Sequence, residues 1–125
     1  MKKKLLGKTG IEVSQLCFGG LTVGPLQANL PLEQGAAVMA HAFSNGINFV
    51  DTAELYQTYP YIRRAMAMSG QYDIVIASKT YAYEREQAKK SVEHARHALN
   101  RDVVDIFLLH EQESEHTVRG HYAAL

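Results

Sequence analysis

Four side chains in this sequence are of the kinds that hold and move protons, and their placement is regular. Asp51 ends the apolar run Ile47-Asn48-Phe49-Val50. Lys79 follows a second run, Asp73-Ile74-Val75-Ile76-Ala77-Ser78, and His110 a third, Val103-Val104-Asp105-Ile106-Phe107-Leu108-Leu109. Tyr56 comes five positions after Asp51, beyond Thr52-Ala53-Glu54-Leu55. Runs of this kind suit the strands of a buried sheet. A carboxylate inside one is costly unless it stands at the strand end and is paired. An Asp after a strand also serves as the N-cap of a following helix, and Asp51 alone does not separate the two readings. Three polar residues at three strand ends, however, read as one site on one rim of a sheet. A carboxylate, an ammonium, an imidazole and a phenol gathered there are the material of acid–base chemistry.

The elements needed to gather them follow in order. Lys3 to Leu6 and Ile11 to Val13 flank Gly7-Lys8-Thr9-Gly10, a hairpin signal. Gln15 to Gly20 reads as the first buried strand, and Gly19-Gly20 would let a ligand or another backbone come close, or simply turn the chain. A helix opens at Pro31, with Leu32, Ala36, Met39 and Phe43 on one face. Gly46 ends it, and the strand to Asp51 follows. Pro60 starts a short helix with Ile62 and Met66 inward, stopped by Ser69-Gly70. A third helix runs from about Arg85 to Asn100, with Ala88, Val92, Ala95 and Leu99 on one face. Glu111 to Glu115 is a polar loop, and Thr117 to Leu125 reads as the opening of a fourth helix.

Strands alternating with helices imply an α/β fold with a parallel sheet and right-handed crossovers. An open dinucleotide-binding sheet would carry G-x-G-x-x-G after its first strand, and Gly19-Gly20-Leu21-Thr22-Val23-Gly24 does not fit that spacing. A (β/α)8 TIM barrel needs about 250 residues. The 125 residues here hold a hairpin and about the first four β/α units. Residues 1–125 are therefore expected to be the amino-terminal portion of one barrel domain. Residues 1–14 form the hairpin, and 15–125 run from the first barrel strand to the start of the fourth helix.

Composition narrows the function. Thirteen basic and thirteen acidic residues give zero net charge, so nothing draws the chain toward nucleic acid or an anionic membrane surface. No apolar run approaches the roughly 18 residues of a membrane span, and no secretory signal follows Met1-Lys2-Lys3-Lys4. A single cysteine, Cys17, fits a reducing compartment. The expectation is a cytoplasmic protein, with Cys17 acting as a small buried hydrophobe. His94 and His97 share a helix face without a third ligand, so no metal site is expected. Lys89-Lys90 and Arg63-Arg64 read as solvated helix faces. Tyr59, Tyr61, Tyr81 and Tyr83 either line the mouth of the site or pack helix on sheet.

The sequence resembles the aldo-keto reductase family over nearly all of its length. Leu6-Gly7-Lys8-Thr9-Gly10-Ile11-Glu12-Val13-Ser14 with Phe18-Gly19-Gly20 looks like that family's opening hairpin and first strand. Gly46 to Tyr56, ending Asp51-Thr52-Ala53-Glu54-Leu55-Tyr56, looks like its first signature. Ile76-Ala77-Ser78-Lys79 and Val104 to His110 look like the segments that carry its lysine and histidine. The resemblance implies reduction of an aldehyde or ketone with NADPH or NADH. It makes Tyr56 the general acid, Lys79 the ammonium that stabilises the phenolate, Asp51 the partner of Lys79, and His110 the group that orients the carbonyl. Gly20, Leu21 and Thr22, with Asp51, would border the nicotinamide, and the hairpin would plug the amino-terminal end of the barrel. The partner implied is a small carbonyl compound. Two departures stand out. Gln57-Thr58-Tyr59-Pro60-Tyr61 replaces the family's usual Gly and Glu after the tyrosine, and Glu111 stands where many members have Trp or Arg. In the family, the residues that grip the carboxamide and hold the 2′-phosphate come from strands five to eight, so the resemblance implies that these 125 residues hold the proton-transfer apparatus without most of the cofactor site. A second expectation is a non-catalytic half-barrel fragment or assembly module that pairs its open sheet edges with a partner or with itself.

Overall fold

Six strands and three α-helices occur in the described residues, 1–111 and 124–125 of a computed structural model, and from the third strand onward strands and α-helices alternate. The polar loop expected at 111–115 and the fourth helix expected at 117–125 lie largely outside the described residues. Strands β1 (Lys3–Leu5) and β2 (Glu12–Ser14) form an antiparallel hairpin. Strands β3 (Phe18–Gly19), β4 (Phe49–Asp51), β5 (Val75–Thr80) and β6 (Ile106–Leu109) form a separate parallel sheet in the order β3-β4-β5-β6. Helices α1 (Leu32–Ser44), α2 (Tyr59–Ser69) and α3 (Arg85–Leu99) connect the later strands. Each strand neighbours its successor, as in one sector of a parallel barrel.

The two faces of the sheet differ. Val50 and Ile76 are fully buried and pack against Ala36, Met39, Phe43, Ile62, Ala65, Ala95 and Leu99, with Phe18 and Phe107 beside them. The opposite face carries Asp51, Lys79 and Leu108, because alternate residues of a strand point to opposite sides. Leu108 is 44% exposed there. Asn48 fastens the hairpin at the start of β4. Its side chain accepts from the Ser14 amide (2.7 Å) and donates to the Glu12 carbonyl (3.0 Å). The hairpin therefore sits at the rim opposite Asp51. Asp105 pins β6 to β5 by accepting from the Ile76 amide (2.9 Å), and Arg101 donates to the Ile74 carbonyl. No helix among the described residues is long and apolar enough to cross a membrane.

Several expectations change in detail. The first strand shortens to Phe18–Gly19 because the Gln15 amide donates to Lys2 of the hairpin (3.1 Å). Cys17 is exposed, since it faces away from the helices that cover Phe18. Leu32 is exposed and Val92 half-buried, and Ser91 is the buried residue of that helical turn. Lys79 lies inside β5, paired with Leu108, rather than after it. Arg64 forks onto the Glu33 carboxylate at 2.8–3.0 Å and joins α2 to α1.

Gly35 on α1 is buried because the Tyr61 ring lies over it, held by the hydrogen bond from its hydroxyl to the Leu30 carbonyl (2.7 Å). In a helix interior Ala is ordinarily better than Gly by about 1 kcal/mol. Here a Cβ would stand 2.6 Å from Tyr61 Cδ1. Gly35→Ala is expected to lower stability by about 1–3 kcal/mol, read as a lower urea midpoint at unchanged slope.

Candidate active site

Asp51 closes β4, and its ladder partner on β5 is Ala77. Lys79 lies two residues further along β5, so it shares that face and reaches back across the strand pair. Its Nζ stands 2.8 Å from each oxygen of the Asp51 carboxylate and donates to the Thr52 carbonyl at 2.8 Å. The Lys79 side chain is only 16% exposed, against 42% for Asp51. The ammonium approaches Tyr56 over its ring, 5.1 Å from the centroid, within the range of a cation–π contact.

Tyr56 ends a single 3-10 turn, Glu54–Tyr56. Gln57 closes the turn in the left-handed region at φ 56°. That conformation favours glycine, which is the residue the family pattern carries at this point. The loop is cinched at its base by the Thr52 and Thr58 hydroxyls, 2.7 Å apart and both fully buried. The Tyr56 hydroxyl lies 3.5 Å from His110 Nε2, at the outer limit of a hydrogen bond. The two rings meet edge to face at 5.7 Å.

His110 directly follows β6. Its amide donates to the Thr80 carbonyl (2.9 Å), and its ring stacks on Tyr81 at 4.3 Å. Burial pushes the His110 imidazole below its ordinary value, and the Lys79 charge pushes the same way, against Glu111 and Asp51. His110 is therefore neutral at neutral pH, with one ring N–H to donate and one nitrogen to accept.

All four residues singled out in the sequence thus meet at one rim. The glycine segment beside them is divided. Gly19, the ladder partner of Asp51, is exposed with open space where a Cβ would stand. Gly20 is buried, and a Cβ there would meet the Asp51 carbonyl at 3.1 Å and Thr58 Oγ1 at 3.3 Å. Its missing side chain thus serves the protein's own packing. Leu21 is half-buried, and the exposed Thr22 donates its hydroxyl to the Gly19 carbonyl (2.8 Å). Of the four tyrosines, Tyr59 and Tyr61 are core residues, and the Tyr59 hydroxyl bonds Ser78 (2.6 Å). Tyr81 and Tyr83 stand nearer the rim. His94 packs its ring against Tyr59 at 5.9 Å, and no group of three metal-binding side chains occurs among the described residues. Sequence reasoning missed the hydroxyls of Thr52, Thr58, Ser78 and Thr80. The signal of Thr52, Ser78 and Thr80 is that they are small polar residues at the ends of apolar runs, while Thr58 directly precedes α2.

Residues 15–125 match the model of the aldo/keto reductase family. The chain belongs to this family. It is 28% identical over 123 residues to L-galactose dehydrogenase of Arabidopsis thaliana, covering 88% of this chain and 38% of the plant protein. An aldo-keto reductase structure from Pseudomonas aeruginosa superposes with a TM-score of 0.82 at 25% identity, over 98% of this chain and 53% of that one. A thermostable aldo-keto reductase in complex with the inhibitor epalrestat gives 0.77 at 29% identity, over 96% and 48%. This member of an oxidoreductase family thus spans about half the length of its solved relatives, and less of the plant one. Its four-stranded parallel sheet is the matching part of their barrels.

The depressed His110 value has a consequence for stability. Below about pH 6.5 a histidine in the unfolded chain takes up a proton, while His110 in the fold resists until lower pH. The unfolded state then binds more protons, so stability falls as pH drops through that window and is restored above it. His110→Asn is expected to lose less stability than the parent between about pH 7 and about pH 5, measured as thermal midpoints of both proteins at each pH.

Proposed function

We propose that this chain carries the proton-transfer apparatus of an NAD(P)H-dependent carbonyl reductase that converts aldehydes or ketones to alcohols. The observation that carries the reading is the unbroken series of contacts from Asp51 through Lys79 and Tyr56 to His110. The nicotinamide, when bound, supplies the hydride. Its residues on this chain would be Gly20, Leu21 and Thr22 with Asp51. Gly19 beside them leaves open space where a Cβ would stand. The fit extends to these residues alone, so the 125-residue chain by itself is expected to bind cofactor weakly.

The residues divide the work by chemistry. His110, neutral, donates its ring N–H to the carbonyl oxygen and orients it. Tyr56 gives its hydroxyl proton to the oxygen as negative charge develops there. A phenol ordinarily holds its proton to about pH 10, and a nearby ammonium favours the phenolate left behind. Lys79 supplies that charge, and Asp51 with the Thr52 carbonyl keeps it in place.

With the chain in excess over NADPH and an aldehyde, slow oxidation of NADPH is expected, far below the ordinary enzymatic range of about 1–1,000 per second. Tyr56→Phe is expected to reduce that rate about 100-fold. A rate unaffected by Tyr56→Phe would remove Tyr56 from the reaction.

The open sheet favours a second reading, a module that assembles through its edges. Among the described residues β3 and β6 each have a strand on one side only, and Leu16 and Leu108 are 58% and 44% exposed. Unpaired edges and apolar faces of this kind invite another strand. Two copies related by a two-fold axis would place β3 of each beside β6 of the other and complete eight parallel strands. Light scattering is then expected to return about twice 13.9 kDa. A monomer at every concentration tested counts against this reading.

A further inference from the structure

The turn that presents Tyr56 has no buried residue of its own. Leu55 is 50% exposed, and Gln57 is exposed. Apolar packing therefore does not hold it in place. The Thr52–Thr58 contact closes the loop at its base, six residues apart in sequence, and leaves the turn between them. The remaining side chain of the turn, Glu54, reaches the sheet. One of its carboxylate oxygens lies 2.9 Å from Thr80 Oγ1.

Thr80 is 2% exposed. Its hydroxyl also lies 3.0 Å from the Ser91 hydroxyl on α3 and accepts from the Ala82 amide at 3.1 Å. A carboxylate only accepts and a hydroxyl has one proton. The single Thr80 proton thus has two acceptors in reach, the Glu54 carboxylate and Ser91 Oγ, and the charged carboxylate is the stronger of the two. The Ala82 amide donates to the same oxygen, so three neighbours hold the Thr80 hydroxyl at the junction of the turn, β5 and α3. A hydrogen bond to a charged acceptor is among the stronger kinds.

The two ends of this contact lie within two residues of the reacting groups. Glu54 is two residues from Tyr56, and Thr80 follows Lys79 in β5. We infer that Glu54 is a positioning residue, which through Thr80 sets where the Tyr56 ring stands relative to the Lys79 ammonium. The inference rests on the reading of Tyr56 and Lys79 as the proton-transfer pair. A carboxamide accepts as a carboxylate does, so Gln should keep the register and Ala should release it. At Thr80, Ser keeps the hydroxyl and Val removes it.

The test uses the isotopically labelled 125-residue chain and does not require turnover. With its end group over the Tyr56 ring, the Lys79 ε-methylene signal is shifted upfield by the ring current, and Tyr56→Leu identifies that shift. Loss of the shift in Glu54→Ala and Thr80→Val, with retention in Glu54→Gln and Thr80→Ser, is the expected result. Thermal midpoints are recorded alongside, and Glu54 is a partly exposed site whose truncation leaves the core intact. A lowered midpoint with the shift unchanged in both Glu54→Ala and Thr80→Val would make the contact merely structural and overturn the inference. So would equal loss in Glu54→Ala and Glu54→Gln, or no shift in the parent chain. Tyr56→Phe keeps the ring and therefore the shift while removing the hydroxyl. Failure of the proposed reaction and failure of the positioning role are thus seen in different measurements.

Discussion

The pairing of Lys79 with Asp51 is the constraint from which the rest of the rim follows. An ammonium on a largely buried strand loses most of its hydration, which is costly unless strong acceptors replace the water. Both Asp51 oxygens and the Thr52 carbonyl do so at 2.8 Å. The register makes this possible. Asp51 sits beside Ala77, and the next residue of β5 on the same face is Lys79. With Asp51 42% exposed, the pair sits closer to the surface ion pairs worth about 0–1 kcal/mol than to a buried one. Its value therefore lies in geometry. It fixes a positive charge over the Tyr56 ring and beside His110, and that charge helps to keep the imidazole neutral.

Around this pair the protein uses small hydroxyls as fasteners. Thr52 meets Thr58, Tyr59 meets Ser78, and Thr80 meets Glu54 and Ser91. Each contact joins a loop or helix to a strand end, where apolar side chains would have to give way to the rim's polar groups. The fasteners face the helix layer, while Asp51 and Lys79 face the other way. Strand β5 thereby serves both layers, with Ser78 and Thr80 on one side and Lys79 between them on the other. The same economy explains Gly20, whose missing side chain lets the Asp51 carbonyl and Thr58 close over it.

The face that carries the ion pair also shows why half a barrel is a distinct physical object. The helix side of the sheet is finished, with Val50 and Ile76 fully buried. On the other side Leu108 and Cys17 are exposed. In relatives about twice as long, the same strands belong to barrels. Side chains on that face are suited to the inside of a closed barrel, where they would be packed in layers.

Much of this was written in the sequence. The alternation of apolar runs and helical periods implied a parallel α/β sheet, because residue spacing alone decides which face a side chain takes. Asp51, Lys79 and His110 were visible for the same reason, each a polar residue that breaks an apolar run near its end. The boundaries were less legible. Gln15 to Cys17 has strand composition, yet its backbone is drawn to the hairpin, and no local pattern encodes that competition. Lys79 falls within β5 because β6 extends the ladder to Thr80, a matter of register between segments about 30 residues apart in sequence. The Glu54–Thr80 contact, the neutral His110 and the packed Gly20 depend on distances between strands and loops that the sequence does not state. Spacing determined which residues reach the rim; only the tertiary fold decided which of them touch, because hydrogen bonding and desolvation depend on separations of a few ångströms.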